Sequence, residues 1–209
     1  MPFEHLVARA RALAARGQRA VLGITGPPGA GKSTLAGRLE HALVASGDAV
    51  RRVPMDGFHL ADVTLDRLGR RDRKGAADTF DGFGYLALLE RIRVARDHTV
   101  YAPSFHRDLE QPLAGAIGIE PEDDLVITEG NYLLLGSLPW IRVRDQLAEV
   151  WYCALDDDVR RERLVARHVA FGKAPDHAAA WVATVDEPNA RLIARTRGCA
   201  DLVVDMATI

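Results

Sequence analysis

The chain has 209 residues, and its 27 Lys and Arg residues nearly balance its 29 Asp and Glu residues, leaving a formal net charge of -2. A chain of this length buries about 70% of the surface that it exposes when unfolded, so we expect one domain over residues 1–209 with its own core. The near balance of charge argues against a protein whose main partner is nucleic acid or a membrane surface.

No stretch reaches the roughly 18 consecutive apolar residues of a membrane-spanning helix, and the N-terminal segment contains an acidic residue and periodic arginines rather than a secretory core. We therefore expect a soluble, cytoplasmic protein without a membrane or nucleic-acid partner, present as a monomer or a homodimer. Its two cysteines, Cys153 and Cys199, lack the spacing of metal ligands and are expected to be reduced thiols.

In chain order, the apolar residues of segment 3–16 recur on one helical face, which predicts a leading helix within residues 1–18. A short β-rich run over residues 20–25 predicts a strand, and helical periodicity returns over residues 32–45 and 85–96. Further short apolar runs, each bounded by charges, Pro or Gly, predict strands at residues 49–53, 125–128, 150–155 and 202–204.

Strands of continuous apolar residues are typical of a sheet that is covered on both faces, and helices between them imply βαβ units. We therefore predict a doubly wound α/β domain, a three-layer αβα fold with a mainly parallel sheet. Ligands of such sheets bind beyond the carboxyl ends of the strands. The segment of about residues 57–121 is too long for a simple crossover, which predicts an insertion that covers the substrate.

A glycine-rich loop lies between the first predicted strand and the helix that follows it. Residues 26–33 read GPPGAGKS and fit the pattern G-x-x-x-x-G-K-[ST] at every fixed position. Glycines allow backbone N–H groups to close around phosphate oxygens, and the helix N-terminus adds a favourable dipole. We expect Lys32 to reach the β- and γ-phosphates of ATP or GTP and the Ser33 hydroxyl to bind Mg²⁺. The predicted nucleotide-binding residues are Gly26, Gly29, Ala30, Gly31, Lys32, Ser33 and Thr34.

Two carboxylates follow predicted strands. Asp56, in VPMDGFHL, is placed to take a proton from an attacking hydroxyl, and the alternative is an Asx turn, which Asp-Gly often forms. Glu129, in DLVITEGNY, ends a later strand at the position of a Mg²⁺ ligand. Acids at two strand ends are harder to explain as two turns, so we predict functional roles for both. Phe58 and His59 are expected to form a wall of the acceptor site, with core packing as the alternative for Phe58.

The segment LDDDVRRERLVARHVAFGK predicts a helix that starts at its aspartates. Arg160 and Arg161 each have an aspartate four residues earlier and are expected to be paired surface charges. Arg163 and Arg167 have no acid three or four residues away in the sequence. This pattern predicts a mobile basic lid within about residues 157–185, with a solvated helix face as the alternative.

In this order, GITGPPGAGKST, PMDGFHL, VITEGNYLLL and the arginine helix resemble the uridine kinase, phosphoribulokinase and bacterial pantothenate kinase group of P-loop kinases. The segments KGAADTFD, YAPSFHRDLEQP and DEPNARLI are similar to those of bacterial proteins known as nucleoside or nucleotide kinase family members or fructose transport system kinases. The resemblance covers about residues 20–204.

The resemblance implies a P-loop NTPase fold that uses ATP and Mg²⁺, with Glu129 near the metal. It implies catalytic roles for Lys32, for Asp56 as the base, and for the lid arginines Arg163 and Arg167. In the pantothenate kinases an aromatic residue, a histidine and an asparagine contact the acceptor, and the nearest matches here are Tyr101, His106 and Asn189. The spacing of YAPSFHRD differs from the family pattern, and the alternatives are local hydrogen bonds for His106 and a helix cap beside Pro188 for Asn189.

These observations predict an ATP-dependent kinase that phosphorylates a hydroxyl of a small metabolite, such as a sugar, a nucleoside or a pantothenate-like alcohol. One alternative is a nucleotide kinase whose acceptor is itself a phosphate. It requires the basic residues of the otherwise solvated run GRRDRKG and its surroundings, namely Arg70, Arg71, Arg73, Lys74 and Arg107. The other alternative is a nucleotide-dependent regulator without significant transfer, although the sequence lacks the guanine-reading motif of GTPases.

Overall fold

A computed structural model of the chain describes residues 1–15, 17–106, 109 and 111–209. Within these residues helices and strands alternate through most of the chain. The strands are β1 (Ala20–Thr25), β2 (Val50–Pro54), β3 (Val100–His106), β4 (Gln111–Ile119), β5 (Leu125–Glu129), β6 (Glu149–Ala154) and β7 (Leu202–Asp205). The helices are α1 (Phe3–Ala14), α2 (Lys32–Ala45), α3 (Asp62–Arg67), α4 (Gly82–Val94), α5 (Trp140–Asp145), α6 (Asp157–Ala170), α7 (Pro175–Trp181) and α8 (Glu187–Ala194).

Five strands form one parallel sheet in the order β2-β5-β1-β6-β7. β1 lies at the centre, pairs with β5 on one side and β6 on the other, and is buried along its whole length. Its apolar sequence AVLGIT suits this position, because a central strand has both faces covered. The predicted α/β fold with a mainly parallel sheet is therefore confirmed.

Helices cover both faces of the sheet and form two apolar cores. The first core joins α1 and α2 to the sheet, and the second joins α4, α5 and α8 to it. In α1 the buried residues are Leu6, Ala10 and Leu13, the face that the sequence pattern predicts. α4 begins at Gly82, three residues before the predicted start, where the Asp81 side chain accepts a hydrogen bond from the Gly84 N–H.

The chain between β2 and β5 contains an antiparallel hairpin of β3 and β4, which the sequence analysis did not predict. Strand prediction depends on apolar alternation, and Pro103 with the polar residues after it interrupts that pattern. The hairpin shifts register between Ala102 and Ser104, next to this proline. Val100, Ala102 and Ile119 are buried in the second core, so the base of the hairpin is anchored to the domain.

The segment after β6 forms α6, α7 and α8, and the π-helical turn Val182–Asp186 joins α7 to α8. α6 begins as predicted at its aspartates, because the Asp156 side chain accepts hydrogen bonds from the Asp158 and Val159 N–H groups. Over the described residues, no helix combines the length and the apolarity that crossing a bilayer requires.

Candidate active site

The glycine loop connects β1 to α2 through a backbone that only glycine adopts easily. Gly29 has φ +80° and Gly31, the N-cap of α2, has φ +92°. A Cβ on Gly29 would lie 2.9 Å from the Arg160 carbonyl oxygen and 2.8 Å from Cγ of Leu164. The loop therefore packs against α6 without room for a side chain, and its N–H groups lie at the N-terminus of α2, where an anion is stabilised.

Lys32 is the first residue of α2 and is almost fully buried. Its Nζ donates a hydrogen bond to the Pro27 carbonyl oxygen at 3.0 Å. Burial lowers the pKa of Lys32, and the nearby carboxylates of Glu129 and Asp56 act in the opposite direction. The ammonium group is therefore held against the glycine loop in a poorly solvated place, where it interacts strongly with a negatively charged ligand.

Glu129 ends β5 and meets the start of α2. The Ser33 hydroxyl donates a hydrogen bond to Glu129 Oε1 at 3.0 Å. Burial raises the pKa of Glu129, and the negative charge of Asp56 raises it further, while Lys32 and the Ser33 hydrogen bond lower it. The Ser33 hydroxyl and the Glu129 carboxylate are hard oxygen donors, the kind of ligand that Mg²⁺ prefers.

Asp56 lies in the 3₁₀ turn Met55–Phe58 that directly follows β2. Its carboxylate accepts no hydrogen bond from the described residues, so the Asx turn considered from the sequence does not form there. A Cβ on Gly57 would lie 2.4 Å from the Pro103 carbonyl oxygen, which shows that the β3–β4 hairpin packs directly against this turn. The hairpin therefore holds the Asp56 turn at the carboxyl edge of the sheet.

Two adjoining cavities meet at the glycine loop and share Gly29, Lys32, Ser33 and Arg167. The first, of about 430 Å³, is lined in addition by Gly31, Thr34 and Arg163. The second, of about 180 Å³, holds both strand-end carboxylates, Asp56 and Glu129. The glycine loop, the two acids, Arg163 and Arg167, which are far apart in the sequence, thus line two cavities that share a wall.

Arg160 and Arg161 of α6, both expected from the sequence to be paired surface charges, differ in their burial. Arg160 is not a surface charge, since it is 1% exposed and donates hydrogen bonds to Pro28, Asp157 and Glu187. Arg161 is partly exposed and pairs with Asp158 and Glu187. The physical reason for the difference is that the Arg160 side of α6 faces the glycine loop and α8. Arg163 makes no ion pair with the described residues and lines the first cavity.

The predicted acceptor residues separate into two groups. His59 and Asn189 line the second cavity, and Asn189 lies within α8 rather than at its cap. Phe58 packs against the core, with its ring 5.2 Å from that of Tyr85. The side chains of Tyr101, which is 61% exposed, and of His106, which accepts a hydrogen bond from the Leu109 N–H, do not line the cavity.

Phe105 lines the cavity in place of Tyr101 and His106. Lys74, considered from the sequence only for a phosphate acceptor, lines it too, and the other cavity residues that sequence reasoning did not select are Pro28, Gly75, Phe80, Asn131, His168, Trp181 and Asp186. Four of these seven, namely Gly75, Phe80, His168 and Asp186, lie in KGAADTFD and DEPNARLI or next to Arg167, where the clustering of polar and aromatic residues was the available signal. Pro28 and Asn131 lie in GITGPPGAGKST and VITEGNYLLL, and Trp181 carries no local pattern.

The basic run at residues 69–75 is largely neutralised by nearby aspartates. Arg70 and Arg73 both pair with Asp78, and Arg71 pairs with Asp62 and Asp66. Of the basic residues in this run, Lys74 lines the second cavity, and it also pairs with Asp62 at 2.7 Å. Arg107, the remaining cation of the phosphate-acceptor alternative, lies outside the described residues.

Comparisons with known proteins extend these observations. A family model described as methylmalonyl Co-A mutase-associated GTPase MeaB matches residues 4–58, which is less than half of the chain. A Schizosaccharomyces pombe protein named as a candidate uridine kinase is 34% identical over 176 residues, covering 81% of this chain and 75% of that protein. An ATP-dependent kinase-like protein of Aspergillus versicolor is 38% identical over 152 residues, covering 68% of this chain and 88% of that protein.

A solved structure is similar over nearly the whole chain. It is the crystal structure of a candidate fructose transport system kinase from Silicibacter sp. TM1040, which is 33% identical and superposes with a TM-score of 0.88 over 98% of this chain and 99% of that chain. With the glycine loop, the parallel sheet and these relatives in agreement, the chain belongs to the uridine kinase-like family of P-loop kinases.

Proposed function

We propose that this protein transfers the γ-phosphate of ATP to a hydroxyl group of a small metabolite. The observation that carries the proposal is the single space shared by the glycine loop and the Asp56 carboxylate, with Lys32 and Ser33 on its wall. A kinase needs its phosphate donor and the base for its alcohol substrate to face each other, and this arrangement supplies both.

The triphosphate of ATP is bound by the glycine loop and the N-terminus of α2. Lys32 neutralises charge on the transferring phosphate, and its burial strengthens that interaction because little water competes with it. Arg163 and Arg167 line the same cavity as the loop and bring two further positive charges to the donor side. Phosphoryl transfer requires this kind of positioning and charge stabilisation more than covalent chemistry.

Ser33 and Glu129 would hold Mg²⁺ beside the glycine loop. When bound, Mg²⁺ would neutralise the charge that develops on the transferring phosphate. The raised pKa of Glu129 reflects its burial and the neighbouring charge of Asp56, and a cation relieves both effects. The Ser33 hydroxyl and the Glu129 carboxylate are therefore assigned to the metal side of the site, and Asp56 to the acceptor side.

Asp56 faces the alcohol substrate and accepts the proton of its hydroxyl as the oxygen attacks the γ-phosphorus. Its carboxylate makes no hydrogen bond with the described residues and is therefore available for this contact. His59, Phe80 and Phe105 form an aromatic wall beside it, with ring centroids 4.0 Å apart for His59 and Phe80 and 4.9 Å apart for His59 and Phe105. Asn189 adds an amide on the opposite helix, α8.

The two alternatives are less well supported. A phosphate acceptor requires unpaired cations opposite the loop, whereas Arg70, Arg71 and Arg73 are paired with aspartates. A GTP-dependent regulator is suggested by the GTPase family model, but that match ends at Phe58 and includes neither Glu129 nor the lid arginines.

The test is acceptor-dependent ADP release from ATP and Mg²⁺, measured with a panel of sugars, nucleosides, pantothenate and nucleoside monophosphates. We expect turnover with at least one alcohol. Asp56→Asn should retain ATP binding and lose about 100- to 10,000-fold in kcat, because general base catalysis contributes about that factor. Asp66→Asn, an exposed aspartate on α3, is the matched control and should behave as the wild type. Near-normal kcat of Asp56→Asn would refute the role of Asp56, and ATP turnover that no alcohol stimulates would refute the proposed function.

A further inference from the structure

A histidine and an aspartate form a hydrogen-bonded pair in the wall of the second cavity. His168 Nε2 and Asp186 Oδ2 lie 2.9 Å apart, and both side chains are more than four-fifths buried. His168 follows Arg167 on α6, and Asp186 ends the π-helical turn between α7 and α8. The pair therefore ties α6 to the segment that carries Asn189.

The pairing determines which hydrogen bonds His168 can offer to a ligand. A carboxylate only accepts hydrogen bonds, so Nε2 carries the proton that it donates to Asp186. In a neutral imidazole the other nitrogen, Nδ1, is then an acceptor. Nδ1 has no hydrogen-bond partner among the described residues, although the ring lines the cavity. The cavity wall thus contains a fixed acceptor for an O–H or N–H group.

The surroundings of the pair support a role in ligand recognition. Trp181 and Asn189 line the same cavity, and the π-helical turn between them is a local departure from α-helix that is frequent at functional sites. Asn189 is three residues beyond Asp186 on the same helical segment. The three polar residues His168, Asp186 and Asn189 therefore line the same cavity as Asp56.

We propose that His168, oriented by Asp186, binds a second hydrogen-bond donor group of the alcohol substrate, distinct from the hydroxyl that is phosphorylated. His168 is then a substrate-binding residue and Asp186 a positioning residue. This inference rests on the proposed function and narrows the substrate to a molecule with at least two donor groups, such as a polyol or a ribosyl compound, rather than a simple alcohol.

The experiment compares KM and kcat for His168→Ala, Asp186→Ala and Asp186→Asn with the alcohol that gives turnover in the panel. His177→Ala, an exposed histidine on α7, is the matched control. We expect the two alanine variants to raise KM for the alcohol about 3- to 10-fold, the equivalent of one hydrogen bond, with kcat and KM for ATP changed less. Asp186→Asn should stay close to the wild type, because its amide oxygen accepts the same N–H.

A second comparison uses deoxy analogues of that alcohol, each lacking one hydroxyl that is not phosphorylated. One analogue should raise KM in the wild type and produce no further increase in His168→Ala. Equal KM values for the wild type and both alanine variants, or additive effects of every deoxy analogue with His168→Ala, would overturn the inference while leaving the proposed function intact. A wild type without alcohol-dependent turnover would overturn both.

Discussion

Replacing Arg160 should show how much more a buried arginine of α6 contributes to stability than an exposed arginine of the same helix. Its Nη1 donates to the Pro28 carbonyl oxygen at 3.3 Å, its Nε donates to Asp157 Oδ1 at 3.0 Å, and its Nη2 donates to Glu187 Oε1. One side chain thus connects the glycine loop, the start of α6 and the start of α8. Arg160→Ala removes all three contacts.

The expected loss of stability depends on which contacts the partners of Arg160 retain after its removal. Removing one member of a buried ion pair costs about 3–5 kcal/mol, because it leaves an uncompensated charge. Glu187 retains Arg161 at 3.4 Å and the Asp157 side chain is largely exposed, so we expect a loss of about 3 kcal/mol, the lower end of that range. For a domain of about 200 residues, this corresponds to a decrease in Tm of roughly 6–12 °C.

Thermal unfolding monitored by circular dichroism measures this decrease, with Arg161→Ala as the matched control. The Arg161 side chain is 42% exposed, and its removal should leave Tm close to that of the wild type. Arg160→Ala should also weaken ATP binding, since the Pro28 carbonyl that shapes the glycine loop loses its donor. Equal Tm values for the two variants would refute the reasoning, because the buried contacts would then contribute nothing that surface contacts do not.

Three further predictions concern buried groups and the glycine loop. Burial raises the pKa of Glu129, so its ionisation destabilises the ligand-free fold as pH rises through that pKa. Glu129→Gln should therefore raise Tm more at pH 8 than at pH 5, while kinase activity is lost. Equal Tm differences at both pH values would contradict this. Gly29→Ala should lower both Tm and ATP affinity, because the new Cβ would clash with α6 and because the backbone of Gly29 has a φ of +80°. Gly37→Ala is the control within α2, where a Cβ has open space, and it should raise the free energy of unfolding by about 0.5–1 kcal/mol. Burial raises the pKa of Cys153 to about 12, so a disulfide reagent should rapidly modify one thiol, that of the exposed Cys199. Two rapidly reacting thiols in the folded protein would contradict the buried position of Cys153.

The sheet strands, the glycine loop and the two strand-end acids could be predicted from local sequence. The strand predicted at residues 20–25 and the helix predicted at residues 32–45 match β1 and α2 residue for residue, and the other sheet strands match within one residue at each end. The reason is that a buried parallel strand and a phosphate-binding loop are defined by neighbouring residues. Asp56 and Glu129 were selected because the carboxyl ends of parallel strands meet at one edge, and both lie there.

The residues proposed to face the acceptor are determined by contacts between segments that are distant in the sequence. Side chains along a strand alternate between its two faces, so the choice among Tyr101, Phe105 and His106 depended on the pairing and bulge of a hairpin that no local pattern predicts. The sequence showed the aspartates near Arg160, but it did not show that this face of α6 packs against the glycine loop.

The sequence by itself therefore determined the phosphate loop, the parallel sheet and the two strand-end acids, since each depends on residues next to one another in the chain. Only the tertiary structure decided which side chains line the second cavity, which arginine of α6 is buried, and that His168 meets Asp186. These outcomes depend on how separate helices and the hairpin pack together, and packing is a property of the whole core rather than of any one segment.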